Sequence, residues 1–117
     1  MTFKEIDTYL LSKKGSTFDY PFDQEVRVYR VARKIFALMV DKEPLSINLK
    51  CNPVYALELR SIYLSVIPGY HMNKKHWNTV MIEGDVDEKL LKELIDHSYT
   101  LIVESLTIKQ REAIVLL

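Results

Sequence analysis

Residues 26–50 read VRVYRVARKIFALMVDKEPLSINLK, and this stretch decides the fold. Val26–Val31 is rich in β-branched residues and carries Tyr29, the composition of a strand. Ile35–Val40 is apolar without alternation, as expected for a strand buried on both faces. Leu45–Lys50 alternates, with Leu45, Ile47 and Leu49 against Ser46, Asn48 and Lys50, so one of its faces should be buried. The connections are short: Ala32–Arg33–Lys34, then Asp41–Lys42–Glu43–Pro44. A parallel crossover needs about a dozen residues, so the three strands should pair antiparallel as a meander.

The flanks of the meander read as helices and a second strand pair. Upstream, Thr2 and Glu5 have capping-box spacing, and Phe3, Ile6 and Leu10 recur at helical intervals. Lys13, Lys14 and Gly15 suit that helix's end. Ser16–Gln24 then reads as a connecting loop, with Pro21 unable to donate to a ladder. Downstream, Asn52–Pro53 is an N-cap followed by Pro at the first helical position. That helix is predicted to run to about Leu64, with Val54, Leu57, Ser61 and Leu64 as its inward stripe. Val66–Met72 and Trp77–Ile82 read as strands joined through Asn73–His76, with a bend or bulge at Pro68–Gly69. Asp85 and Glu88 form a further capping pair. Leu90, Leu91, Leu94, Ile95, Leu101 and Ile102 give a wide apolar face up to about Ser105. Thr107 with Gln110 opens a short terminal helix. The predicted order is α-β-β-β-α-β-β-α-α. It describes a two-layer α+β domain over residues 1–117, with about five antiparallel strands and helices mainly on one face. Leu94, Ile95, Ile102, Phe36 and Leu38 are expected in the core.

Composition narrows the class. A chain of 117 residues with 48% hydrophobic residues can bury a sizeable core without disulfides or metal. Its single cysteine, Cys51, excludes a disulfide scaffold and fits a reducing cytoplasm, as does the absence of a signal-peptide pattern. The apolar runs fall far short of the ~20 residues that span a bilayer, so no membrane role is expected. Net charge is zero but uneven. Residues 1–82 hold twelve Lys/Arg against eight Asp/Glu, and residues 83–117 hold four against eight. A polyanion would therefore have to meet a local basic surface.

The segment with most chemistry is Val66–Val80, reading VIPGYHMNKKHWNTV. Tyr70, His71, Asn73, Lys74, Lys75, His76, Trp77 and Asn78 bring ammonium groups for phosphate, aromatic faces for stacking and amides and imidazoles for directed hydrogen bonds. The same mixture also suits a hairpin with a solvated Lys tip and aromatics at the core edge. Arg27, Arg30, Arg33 and Lys34 form a second basic group around the first turn, which equally reads as solvated charge. If the two turns project on the same side, the protein has two basic hairpin projections. His71 and His76 stand five apart with no Cys or Glu at metal-site spacing, so no metal is expected. No phosphate loop, GxGxxG or HExxH occurs, and no acid/base pair or Cys–His nucleophile can be read, so neither cofactor nor catalytic role is expected.

The run PGYHMNKKHWNTV, followed by LLKELIDHSY, resembles the MmcQ/YjbR family. Asp19–Tyr20–Pro21–Phe22, Lys34–Ile35–Phe36–Ala37–Leu38 and Asn48–Leu49–Lys50–Cys51–Asn52–Pro53 are similar to the family's other blocks, in order. The resemblance spans roughly residues 2–108. One departure stands at the first turn, where family members often have Gly-Gly and this chain has Ala32–Arg33. The resemblance implies a two-layer fold like that of secretion chaperones and CyaY-like proteins, and DNA binding through a double-wing motif. With phosphate contacts only from Lys74, Lys75 and the Arg27–Lys34 group, that binding should be weak. The residues carried over are Tyr70, His71, Asn73, Lys74, Lys75, His76, Trp77 and Asn78. Two alternatives come from different classes: a protein-interaction module using an exposed apolar sheet face, and a small-ligand binder or enzyme built on Tyr70–Trp77. A monomer or weak dimer is expected.

Overall fold

The computed structural model describes residues 1–70 and 72–117. The predicted meander is present, as β2 (Val26–Val31), β3 (Lys34–Val40) and β4 (Ser46–Lys50). It forms the middle of a six-stranded sheet completed by β1 (Thr17–Asp19), β5 (Val66–Pro68) and β6 (Trp77–Met81). The spatial order is β1-β2-β3-β4-β6-β5, and every pair is antiparallel. The helices are α1 (Phe3–Leu11), α2 (Pro53–Ile62), α3 (Glu88–Glu104) and α4 (Ile108–Val115). They lie on one side of the sheet, giving the expected open α+β architecture.

The capping signals hold at three helices. Glu5 N–H donates to the Thr2 hydroxyl and Thr2 N–H to the Glu5 carboxylate, a complete capping box. Thr107 and Gln110 repeat it at α4, and the Asn52 side chain accepts from Val54 and Tyr55 with Pro53 at the first position. Between the helices and the sheet lies one large cluster that includes Ile6, Phe36, Ile47, Leu94, Ile95 and Ile102. Ser98 pins α3 across the strands: its buried hydroxyl donates to the Phe36 carbonyl at 2.6 Å and accepts from Lys50 N–H at 2.9 Å. The opposite face of the sheet carries a small second cluster of Val28, Leu38 and Trp77, flanked by Val26, Ile35 and Met72. Leu38 is thus buried as expected, but on the face away from the helices. Alternation around it explains why β3 reads as apolar throughout.

Four expectations need correction. The Ser16–Gln24 loop contains β1, so the sheet has six strands and the chain one more element than predicted. Three exposed residues, Thr17, Phe18 and Asp19, leave no hydrophobic period to detect; β1 exists because β2 offers it a ladder. The first strand of the second pair ends at Pro68, not Met72, and its partner at Met81. At Gly69 the chain passes so close to Trp77 that an added Cβ would lie 2.8 Å from that residue's carbonyl oxygen. The inward stripe of α2 was expected at Val54, Leu57, Ser61 and Leu64, yet these are exposed. Ala56 and Leu59 are buried instead, with Tyr55 and Tyr63 half-buried beside them. Both stripes have helical period; the one containing small Ala56 lets the helix approach the sheet and aims Arg60 at β6. Finally, Asp87, not Asp85, caps α3 by accepting from Leu90 N–H. The Asp85 carboxylate instead accepts from Leu64 and Ser65 N–H and from the Ser65 hydroxyl.

Candidate binding surfaces

The β2–β3 connection is a two-residue hairpin in which Ala32 (φ 48°) and Arg33 (φ 70°) both occupy the left-handed region. This is the conformation for which glycine is best suited. The Asn73–His76 turn is built differently. The Asn73 side-chain oxygen accepts from Lys75 N–H at 2.9 Å, and its carbonyl accepts from Trp77 N–H at 2.9 Å. Arg60 braces the turn from α2, donating to the carbonyls of Lys74 and Trp77. The registers Val31↔Lys34, Ala37↔Leu49 and Lys50↔Trp77 place both turns at the same end of the sheet.

The predicted site residues divide sharply in their surroundings. Arg27 is largely buried, with its Nε 2.8 Å from Asp7 and its guanidinium 3.3 Å from the centre of the Phe18 ring. Tyr29 donates to the same Asp7 carboxylate, and burial pushes its phenol pKa well above the ordinary value. Arg27 therefore ties α1 to the sheet. Arg30 pairs with Asp19 at 3.0 Å, and Lys34 reaches the Ser105 hydroxyl at the end of α3. Asn78 is buried beneath α2, accepting from Arg60 Nε at 2.7 Å. Trp77 is buried in the small cluster. Arg33, Lys74 and Lys75 remain exposed at the turn tips, and His76 is half-buried behind them, its carbonyl held by Cys51 N–H. His71 lies outside the described residues. The twelve candidates are thus not one surface: the exposed cations sit at one end of the sheet, while Arg27 and Asn78 face the helical layer.

Lys50 joins that end, lying on β4 between the two turns and opposite Trp77. Nothing in the sequence singles Lys50 out, because the Leu45–Lys50 alternation marks only its buried neighbours. His97 and Cys51 are structural. His97 accepts from Asn52 N–H at 3.1 Å, and burial lowers its pKa. Burial pushes the Cys51 thiol up to about 11. Among the described residues, no three His, Cys, Asp or Glu side chains group as metal ligands would.

Tyr70 turns away from the basic end onto the uncovered face of the sheet. There it borders an open cleft of about 510 Å³ whose floor is Val26, Leu38, Val40 and Asn48 and whose rim includes Phe22, Asp23 and Met72. Asn48 holds the rim in place: its amide donates to the Tyr70 carbonyl at 3.3 Å, and its oxygen accepts from the Thr79 hydroxyl. Thr79 in turn accepts from Tyr70 N–H at 3.0 Å. Neither Asn48 nor Thr79 stands out in sequence, because their partner is a backbone segment some distance along the chain.

The YjbR sequence profile matches residues 11–101. The chain belongs to the YjbR family. It is 38% identical over 96 residues to the uncharacterized protein YbdF of Escherichia coli O157:H7, covering 81% of this chain and 79% of that one. It is 31% identical to the uncharacterized protein YjbR of Escherichia coli K12 over 98% of both chains. The crystal structure of Deinococcus radiodurans protein DR2400, of the DUF419 domain family, superposes with a TM-score of 0.90 at 34% identity, covering 97% of this chain and 87% of that one. The stretches that resemble the YjbR family in sequence converge in space. They supply Phe22, Leu38, Asn48, Tyr70 and Met72, five of the eight residues that line the cleft.

Proposed function

We propose that the protein is a weak DNA-binding module that contacts phosphates through two basic turns. The observation that carries this reading is the meeting of the Ala32–Arg33 and Asn73–His76 turns at one end of the sheet, with Lys50 between them. Their hairpins are three strand spacings apart, roughly 14 Å at ~4.8 Å per strand. That span is near the ~12 Å width of a B-DNA major groove, so the two turns reach phosphates on its two rims. Arg33, Lys74, Lys75 and Lys50 supply the charge. Asn73 and the Arg60 brace hold the second turn in shape whether or not a ligand is present, which limits the ordering cost of binding. With a net charge of zero, the molecule adds no long-range attraction of its own.

The test is a salt titration of binding to short duplex DNA. Three or four neutralised phosphates give a log–log slope of about −3 to −4. Replacing Lys74 and Lys75 by Ala should make the slope shallower by about 2 and weaken binding on all sequences alike. Folding should be untouched, because the Arg60 brace uses backbone carbonyls. No binding by the unmodified protein at ~50 mM salt removes the reading; wild-type binding by the double variant removes this turn from it.

A further inference from the structure

The cleft on the uncovered sheet face lies apart from the phosphate contacts proposed above, and its chemistry is of a different kind. Its volume of about 510 Å³ falls in the range of small-molecule sites, ~300–1,000 Å³. The floor is aliphatic apart from Asn48, and two aromatic rings, Phe22 and Tyr70, stand 68% exposed at its rim beside the Met72 thioether. Asp23 is the one charged side chain among the described residues that line the cleft. One oxygen of that carboxylate already accepts from Glu25 and Val26 N–H, at 2.8 and 2.9 Å. This fixes the carboxylate at the rim, and its second oxygen makes no hydrogen bond among the described residues. A protein partner fits less well, since the apolar floor gives way to Asn48, Thr79 and Ser46 along the same face.

We propose that this cleft is a binding site for a small aromatic amine. The flat apolar body would lie over Leu38 and Val40 between the exposed rings, where thioether and aromatic contacts favour an aromatic guest. The ammonium group would meet the Asp23 carboxylate at the rim, with the ring faces adding cation–π attraction. An anionic guest of the same shape would keep the apolar contacts but meet repulsion at Asp23.

Three indoles of matched shape test this by methyl NMR: tryptamine, neutral indole and indole-3-acetate. Tryptamine should shift the Val26, Leu38, Val40 and Met72 methyls saturably, and indole-3-acetate should bind about fivefold more weakly, the scale of one exposed charge pair. Asp23→Asn keeps the oxygen that accepts from Glu25 and Val26, so the fold stays, and the preference between the two charged probes should vanish. Tyr70→Ala, at an exposed position, should weaken all three. The proposal is overturned if none of these methyls moves at ~5 mM tryptamine, or if the anion binds as well as the amine. None of the probes is a polyanion, so the outcome is independent of the salt titration.

Discussion

Asp85 shows what a single carboxylate does in this fold. It gathers three donors from Leu64 and Ser65, and the Ser65 hydroxyl, the strongest of them, with the two backbone N–H groups lowers its pKa to about 2. The unfolded chain should titrate near the ordinary 3.8. Because the folded value is the lower one, the stabilisation is fully present above about pH 4. It is lost as the pH falls toward 2. Urea melts between pH 5 and pH 2 should show the wild type losing stability more steeply than Asp85→Asn. Parallel curves, or a carboxyl NMR midpoint near 3.8, would contradict this. Cys51 makes the complementary case: buried and with its pKa raised to about 11, it should resist iodoacetamide at pH 8 until the protein unfolds.

At the scale of elements, the β2–β3 hairpin carries identifiable strain. Ala32 and Arg33 hold left-handed backbone in a two-residue turn, a conformation that costs a non-glycine residue roughly 1 kcal/mol. Arg33→Gly should stabilise the protein by about 0.5–1 kcal/mol, read from the urea midpoint, because relief in the folded hairpin outweighs the added freedom of the unfolded chain. It would also remove one cation from the basic end. Most of the elements were legible in sequence because they announce themselves locally: capping boxes at Thr2 and Thr107, Asn52–Pro53, and the alternation of Leu45–Lys50. Three things were not. β1 has no buried residue, and its pairing is decided by β2. The two candidate stripes of α2 differ only in what the sheet presents to Ala56. Whether the basic residues would be free was likewise invisible: Arg27 faces an Asp twenty positions away, and Asn78 is claimed by Arg60.

The whole molecule has unequal faces, and core truncations should report it. Ile95 lies in the large cluster under the helices, so Ile95→Ala should cost about 3–5 kcal/mol, a cavity closed on all sides. Leu38 lies under the open cleft, where the loss can be partly filled by Met72 or by water. Leu38→Ala should therefore fall near the lower end, about 2 kcal/mol, and equal costs in chemical denaturation would show that the cleft is not open. The two margins of the sheet have a consequence of their own. One ends on three exposed residues, Thr17–Asp19, and the other on Val66–Pro68, whose proline has no N–H to give. At three residues each, both margins offer a short ladder to an incoming strand, so cross-β growth from the native state is disfavoured relative to growth from the unfolded chain.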